Sequence, residues 1–341
     1  MISRAFSILI FFAALLGSGA LLSEVQPFAI VPEVREKYAW LAGHIDEYDT
    51  LFIGSSRVYR GIMPAVFDEL TAAAGVPTHS FNLGIDGMRP PEDAYVFERV
   101  LALRPKRLRW VFIETGEVRK SVIRGIDGDV RSLHWHDTQR TILALKALLA
   151  PVERPLRWKK VLFGSAQEHT PLVRTAAHIR LWFMRTLNAG RGAFLVRSWL
   201  VAAPTAPLST VIGEEADGFM PDDRPTPAEV RADYLHDLMN PSRISYLDRD
   251  TQHSLDGMLT RVSAAGARPV LLITPLVEKY RCYPQPGSHA PLLDYGESEK
   301  RPSLFQIDHR VDHSHLNATG ADLFTRVIAS DFIELARSTA R

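Results

Sequence analysis

The chain has 341 residues, with 40 Lys+Arg, 39 Asp+Glu and a formal net charge of +1. Its 46% apolar and 23% charged composition is that of a globular chain with room for one large or two ordinary domains. The balanced charge, with no basic stripe interleaved with aromatics, argues against a nucleic-acid partner. A single cysteine, Cys282, excludes an internal disulfide and a Cys-rich metal site; it reads as a bystander beside a turn.

Ala5 to Leu22 is almost wholly apolar, between Arg4 and Glu24. A run of that length, at ~1.5 Å per residue, nearly crosses a hydrocarbon core of about 30 Å. The basic flank favours a cytoplasmic amino terminus. Residues 1–24 are therefore expected to be a single-pass inner-membrane anchor, with the chain from 25 to 341 in the periplasm or outside the cell. The competing reading is a signal peptide cut after Ala20, leaving a secreted protein.

Glu33 to Glu47 reads as an amphipathic helix. Thr50-Leu51-Phe52-Ile53 is a short apolar run of the kind that forms a strand buried on both faces. It stops at Gly54-Ser55-Ser56-Arg57, and Pro64 to Ala74 reads as a helix. Strand, tight turn and helix place a small residue at the carboxyl end of a strand, where open α/β sheets hold their ligands. The plainer reading is that Ser55 and Ser56 cap a helix or fill a turn. A second strand ends in Phe81-Asn82-Leu83-Gly84-Ile85-Asp86-Gly87, whose two glycines mark a demanding turn. Pro91 to Leu103 is a helix. Leu108 to Ile113 is a third strand, closed by Glu114-Thr115-Gly116-Glu117. This alternation predicts a parallel sheet with right-handed crossovers.

From Val118 to Asn240 the pattern is helical pieces without a clear strand. Thr141 to Leu149 and Leu172 to Leu187 are the best of them, and Ala202 to Pro227 reads as a loop. Trp182, Phe183 and Met184 make the second helix apolar over much of its circumference. That predicts a buried packing helix; a groove wall, or contact with membrane or a partner, is the alternative. His134-Trp135-His136 lacks a third ligand nearby and reads as loop. Asp248 to Ala265 is a helix and Arg268 to Pro275 a fourth strand. Tyr280 to Pro302 is an irregular connection, Leu304 to Ile307 a short fifth strand, and Ala321 to Ala336 a closing helix. The expected fold is an α/β three-layer sandwich with a central parallel sheet in flavodoxin-like order and a helical insert over 118–240.

Before the last helix stands Asp312-His313-Ser314-His315-Leu316-Asn317. A nucleophilic serine needs a base within roughly 2.6–3.2 Å and an acid that fixes the imidazole tautomer. Ser56, His315 and Asp312 supply those residue types. Asp308, His309, Asp312, His313 and His315 also have the chemistry of a metal site, but no helical His-x-x-x-His frame orients them. No metal or cofactor is expected.

These blocks resemble the SGNH, or GDSL-like, hydrolase superfamily. Gly54-Ser55-Ser56 matches its first block, Asn82 with Gly87 its second, and Asp312-x-x-His315 its last, in the right order. The resemblance implies a flavodoxin-like SGNH fold with Ser56 as nucleophile, His315 as base and Asp312 as its orienting acid. It also implies an oxyanion hole from the Gly87 and Ser56 amides, with Asn82 at the substrate. One departure stands out: the Gly-x-Asn-Asp element after the third strand, whose asparagine is a third oxyanion donor, is absent from Glu114-Thr115-Gly116-Glu117-Val118. The membrane-anchored cell-envelope branches, which include D-alanyl transfer and polysaccharide O-acetylation proteins, share the layout.

The implied activity is a serine esterase or O-acyltransferase acting on an acyl ester or acylated glycan of the cell envelope, with envelope proteins as further partners. The alternative is a non-catalytic relative that binds a glycan or a membrane partner in the same cleft. An arginine, Arg57 beside the first block in preference to Arg89 beside the second, is expected to border the site and bind a polar or anionic part of the substrate, with Glu114 or Glu117 orienting it; the plainer reading is that Arg57 caps the turn or pairs with a surface acid.

Overall fold

A computed structural model describes residues 2–25, 28, 31–115, 130–149, 171–187, 209–240, 243–278, 280–288 and 290–340. The chain divides into two compact units. The smaller joins Met1–Arg35 to Ile123–Thr205, and the larger joins Glu36–Val122 to Ala206–Arg341. The segment 118–240, expected as one insert, is thus shared between them.

In chain order the helices are α1 (Ile2–Val25), α2 (Pro32–His44), α3 (Ser56–Tyr59), α4 (Pro64–Ala73), α5 (Glu92–Leu101), α6 (Thr138–Leu149), α7 (Pro171–Thr186), α8 (Ser209–Ile212), α9 (Ala228–Leu238), α10 (Arg249–Ala264) and α11 (Ala318–Ala340). The strands are β1 (Thr50–Gly54), β2 (Ser80–Gly84), β3 (Trp110–Glu114), β4 (Arg243–Tyr246), β5 (Arg268–Ile273), β6 (Tyr280–Tyr283) and β7 (Leu292–Asp294).

The larger unit is built on a five-stranded parallel sheet in the order β2-β1-β3-β5-β7. Counting only its own strands, that is the doubly wound order 2-1-3-4-5, with β1 and β3 at the switch point. All five β1 residues are buried, which is why its sequence shows no alternation. On one face Phe52 stacks on Phe112 at 4.5 Å between centroids. Phe67 of α4 and Phe332 of α11 close over them. On the other face α5 and α10 pack together, α5 against β1 and α10 against β5. Local signals start these helices: Pro64 opens α4, and Asp248 caps α10 by accepting from Thr251 N at 2.9 Å.

Three segments differ from expectation. Leu304 to Ile307 is not a strand; 3₁₀ turns run over Pro302–Phe305 and Ile307–His309. Leu304 and Phe305 do enter the core, so the apolar signal is real, but Pro302 starts a turn. The fifth strand of the sheet is β7, only three residues long, inside the segment read as irregular. The same segment contains β6, which pairs with β4 in a separate two-stranded parallel sheet. The segment Ala202 to Pro227, read as loop, contains α8; residues 201–208 lie outside the described residues.

In the smaller unit His134, Trp135 and His136 are buried, on and just beyond a 3₁₀ turn over Val130–Trp135, rather than in an open loop. His136 Nε2 lies 2.7 Å from His178 Nδ1, and burial lowers the His136 pKa to about 4. The α7 helix, expected to be buried, buries His178 and Leu181 but leaves Leu172, Val173, Ile179, Phe183 and Leu187 exposed on it or at its end. In α1, Phe6 and Ile8 to Phe12 are exposed; the side chains of 15–16 and 19–25 lie outside the described residues. Among the described residues no helix is long and apolar enough to cross a membrane.

Candidate active site

The site grows from the end of β1. Ser55 caps α3, its Oγ accepting from Arg57 N at 3.3 Å, so the capping reading holds for Ser55. Ser56 is the first residue of that helix, and its Oγ lies 2.8 Å from His315 Nε2. The turn needs glycine at 54: a Cβ there would overlap Val58 and lie 2.6 Å from a Glu114 carboxylate oxygen.

Glu114, at the end of β3, supports the serine turn from below. Its carboxylate accepts from Ser55 N at 2.6 Å and from Thr274 Oγ1 at 3.0 Å, and pairs with Arg57 Nε at 2.7 Å. The Arg57 and Glu114 side chains are only 11% and 4% exposed. Arg57 therefore turns into this network and does not line the mouth of the site, a correction to its expected substrate contact. The electrostatic reason is direct: a buried carboxylate at the strand end draws the nearest guanidinium inward.

Asn82 is corrected in the same way. It is fully buried, donating to the carbonyls of Val58 at 2.8 Å and Ile62 at 2.7 Å and accepting from Gly84 N at 2.9 Å. It ties the turns after β1 and β2 together and does not face the site. Beside it Lys37 of α2, also fully buried, donates to the carbonyls of Asn82, Gly84 and Gly218 at 2.7–2.9 Å, with its ammonium 3.7 Å from the Tyr59 ring centroid. Replacing Asn82 by alanine strands several buried backbone groups, so Asn82→Ala is expected to cost about 2–4 kcal/mol in denaturant unfolding. A substrate-contact role would instead raise KM with stability unchanged.

Gly87 takes φ +70 in a turn closed by Met88 N to Ile85 O at 3.0 Å, a conformation that favours glycine. Gly116 to Val118, where a third oxyanion donor was expected to be missing, lie outside the described residues.

His315 and Asp312 come from a tight loop closed by an antiparallel bridge between Arg310 and Leu316. The fully buried Arg310 guanidinium binds the carbonyls of Pro275 and Leu304 at 3.1 and 3.0 Å, and Val277 N binds His313 O at 3.0 Å. These bonds fix the loop against the end of β5. Within it Asp312 Oδ1 accepts from the amides of Ser314 and His315 at 2.7 and 2.9 Å. Its Oδ2 lies 2.8 Å from His315 Nδ1. Burial raises the Asp312 pKa, but the hydrogen bond and charge of His315 and the two amides outweigh it and hold it at about 2. In the tautomer that donates Nδ1–H to Asp312, His315 presents the Nε2 lone pair to Ser56 Oγ.

The neighbouring acids and histidines point elsewhere. Asp308 pairs with Arg231, His309 binds Ser303 O and His313 faces Asp237. Among the described residues no group of three or more His, Cys, Asp or Glu is arranged to hold a metal.

Ser56 and His315 open into a depression of about 750 Å³ whose other described lining residues are Arg60, Asp86, Pro221, Asp222, Asp223 and Arg224. Arg60 pairs with Asp86 at 2.8 Å, and Arg224 bonds Asp222 through Nε and a terminal nitrogen at 2.7 and 2.6 Å. The Arg224 hydrogen bond holds the Asp222 carboxyl below its usual range despite burial. Sequence reasoning missed these rim residues. Arg60 stands three positions beyond Arg57, but 221–224 sit in a stretch read only as loop. No protein-family model, curated protein or solved structure matches the chain.

Proposed function

We propose that the protein is a serine-dependent acyl-ester hydrolase or O-acyltransferase of SGNH type, working on an acylated glycan of the cell envelope. The observation that carries this reading is the relay of 2.8 Å from Ser56 Oγ to His315 Nε2 and 2.8 Å from His315 Nδ1 to Asp312. Ser56 attacks the ester carbonyl while His315 takes its proton. The ionised Asp312 holds the imidazole in the required tautomer and stabilises the imidazolium. His315 then returns the proton to the leaving alkoxide. Water releases the acyl group in a hydrolase, and a sugar hydroxyl accepts it in a transferase. The Ser56 and Gly87 amides are assigned to the oxyanion.

The lining supports a short acyl group and a polar flank. Among the described residues the lining, apart from Pro221, is serine, histidine, arginine and aspartate, none of which forms an apolar slot for a long chain. A polyhydroxylated acceptor fits the donors and acceptors of Arg60, Asp86 and Arg224. The apolar α1 helix supports a membrane-associated, extracytoplasmic setting, with secretion as the alternative.

A fluorophosphonate probe tests the reading. Covalent labelling is expected at Ser56, lost in Ser56→Ala and largely kept in Ser55→Ala. Labelling lost only in Ser55→Ala would move the nucleophile by one residue. No labelling of a folded protein favours the non-catalytic glycan-binding alternative.

A further inference from the structure

We infer that the smaller unit docks on an anionic lipid bilayer through the exposed face of α7 and the neighbouring edge of α6. The inference builds on the envelope placement proposed above and adds a second membrane contact beyond the α1 run. Three observations carry it.

The first is an apolar stripe without cover. Leu172, Ala176, Ile179, Phe183 and Leu187 follow helical spacing and are all exposed, as are Ile142 and Leu149 of α6, which packs against α7. The opposite side of α7 already carries its packing residues, His178 and Leu181. The helix is therefore apolar on two sides, and its core contact needs only one.

The second is charge. By sequence the smaller unit has 15 Lys+Arg and 7 Asp+Glu, a net +8, whereas the rest of the chain has 25 and 32, a net −7. A chain with a net charge of only +1 is thus strongly basic in the unit that bears the stripe. Lys146 and Arg180 lie among the exposed apolar residues themselves. Cations beside an apolar helix face fit anionic headgroups over an acyl boundary.

The third is continuity. In the same unit α1 lies against α7. Phe6 and Ile8 to Phe12 of α1 are exposed around the helix, not along one stripe. A protein partner typically covers one stripe of a helix, whereas lipid covers all sides.

The test uses the full-length chain with Phe183→Cys carrying an environment-sensitive fluorophore; Cys282 is buried and stays unlabelled. The protein is floated with phosphatidylcholine vesicles, with and without phosphatidylglycerol. With phosphatidylglycerol, the label at 183 is expected to be protected from aqueous iodide and quenched by acyl-chain nitroxide lipid. Both effects should fall several-fold without anionic lipid or at high salt. A label placed by Met239→Cys, 77% exposed in the other unit, should remain open to iodide. Adding Ile179→Glu and Leu187→Glu, on exposed positions, should remove the protection at 183 without altering circular dichroism. Flotation with position 183 still open to iodide overturns the docking and leaves the α1 reading standing. Equal protection on neutral vesicles overturns the anionic assignment. Protection seen only in native membranes assigns the face to a protein partner and overturns the proposal. Failure to float overturns both readings.

Discussion

His315→Ala is expected to lower kcat for a small acyl ester by about 10⁴–10⁶-fold, with KM changed little. The loss is large because Ser56 has no other base at hydrogen-bond distance among the described residues: His315 Nε2 stands at 2.8 Å. Asp312→Asn is expected to cost about 10⁴-fold, since an amide at that place favours the wrong imidazole tautomer. Unfolding should change modestly, because the His315 and Asp312 side chains are 22% and 36% exposed. A His315→Ala enzyme that retains a tenth of the wild-type rate would remove the imidazole from the chemistry.

The same pair sets an acid limit. The Asp312 pKa of about 2 lies below the ordinary carboxylate value, so its ionised form favours the folded state. That stabilisation is complete above pH ~4, the unfolded value, and is lost as pH falls towards about 2. With more than a third of the side chain exposed, screening reduces it to roughly 1 kcal/mol. Titration of stability between pH 5 and 2 should show that loss in the wild type and not in Asp312→Asn.

Much of this was legible in the chain because buried parallel strands and their turns carry local signatures. Thr50 to Gly54 and Phe81 to Gly84 are apolar runs ended by glycine, Arg268 to Ile273 is one ended by Thr274-Pro275, and each becomes a strand of the sheet. Ser56, Asp312 and His315 stand in short motifs at the ends of such elements, and the fold brings them together. What escaped notice depends on distant partners. β7 is a three-residue strand whose identity comes from pairing with β5, not from periodicity. Lys37 reads as an ordinary surface lysine until three carbonyls from β2 and Gly218 converge on its ammonium. Asn82 and Arg57 adjoin the motifs, and that adjacency alone suggests a place at the substrate. Adjacency in sequence does not say which way a side chain turns, and both turn inward.

The Arg57–Glu114 pair yields the second large effect, this time on stability. Glu114→Ala removes the carboxylate that holds Ser55 N, Arg57 Nε and Thr274 Oγ1, and leaves an arginine with an 11% exposed side chain without that partner. Breaking a buried pair on one side costs about 3–5 kcal/mol. The serine turn also loses its support, and a displacement of about 1 Å at a nucleophile can cost on the order of 100-fold in rate. Glu114→Ala is therefore expected to unfold at markedly lower denaturant and, where still folded, to lose kcat more than KM. Arg57→Ala should also destabilise, because it leaves Glu114 buried without its cation. The double variant should be less damaged than the sum of the two, with a coupling of about 1–3 kcal/mol. A substrate-binding Arg57 gives a different pattern: stability unchanged, KM raised for charged acceptors and no coupling to Glu114. Equilibrium unfolding of the four proteins in the cycle, followed by kinetics on a neutral and a charged ester, separates the two. Additive stability losses would show that the 2.7 Å contact does not hold the serine turn in place.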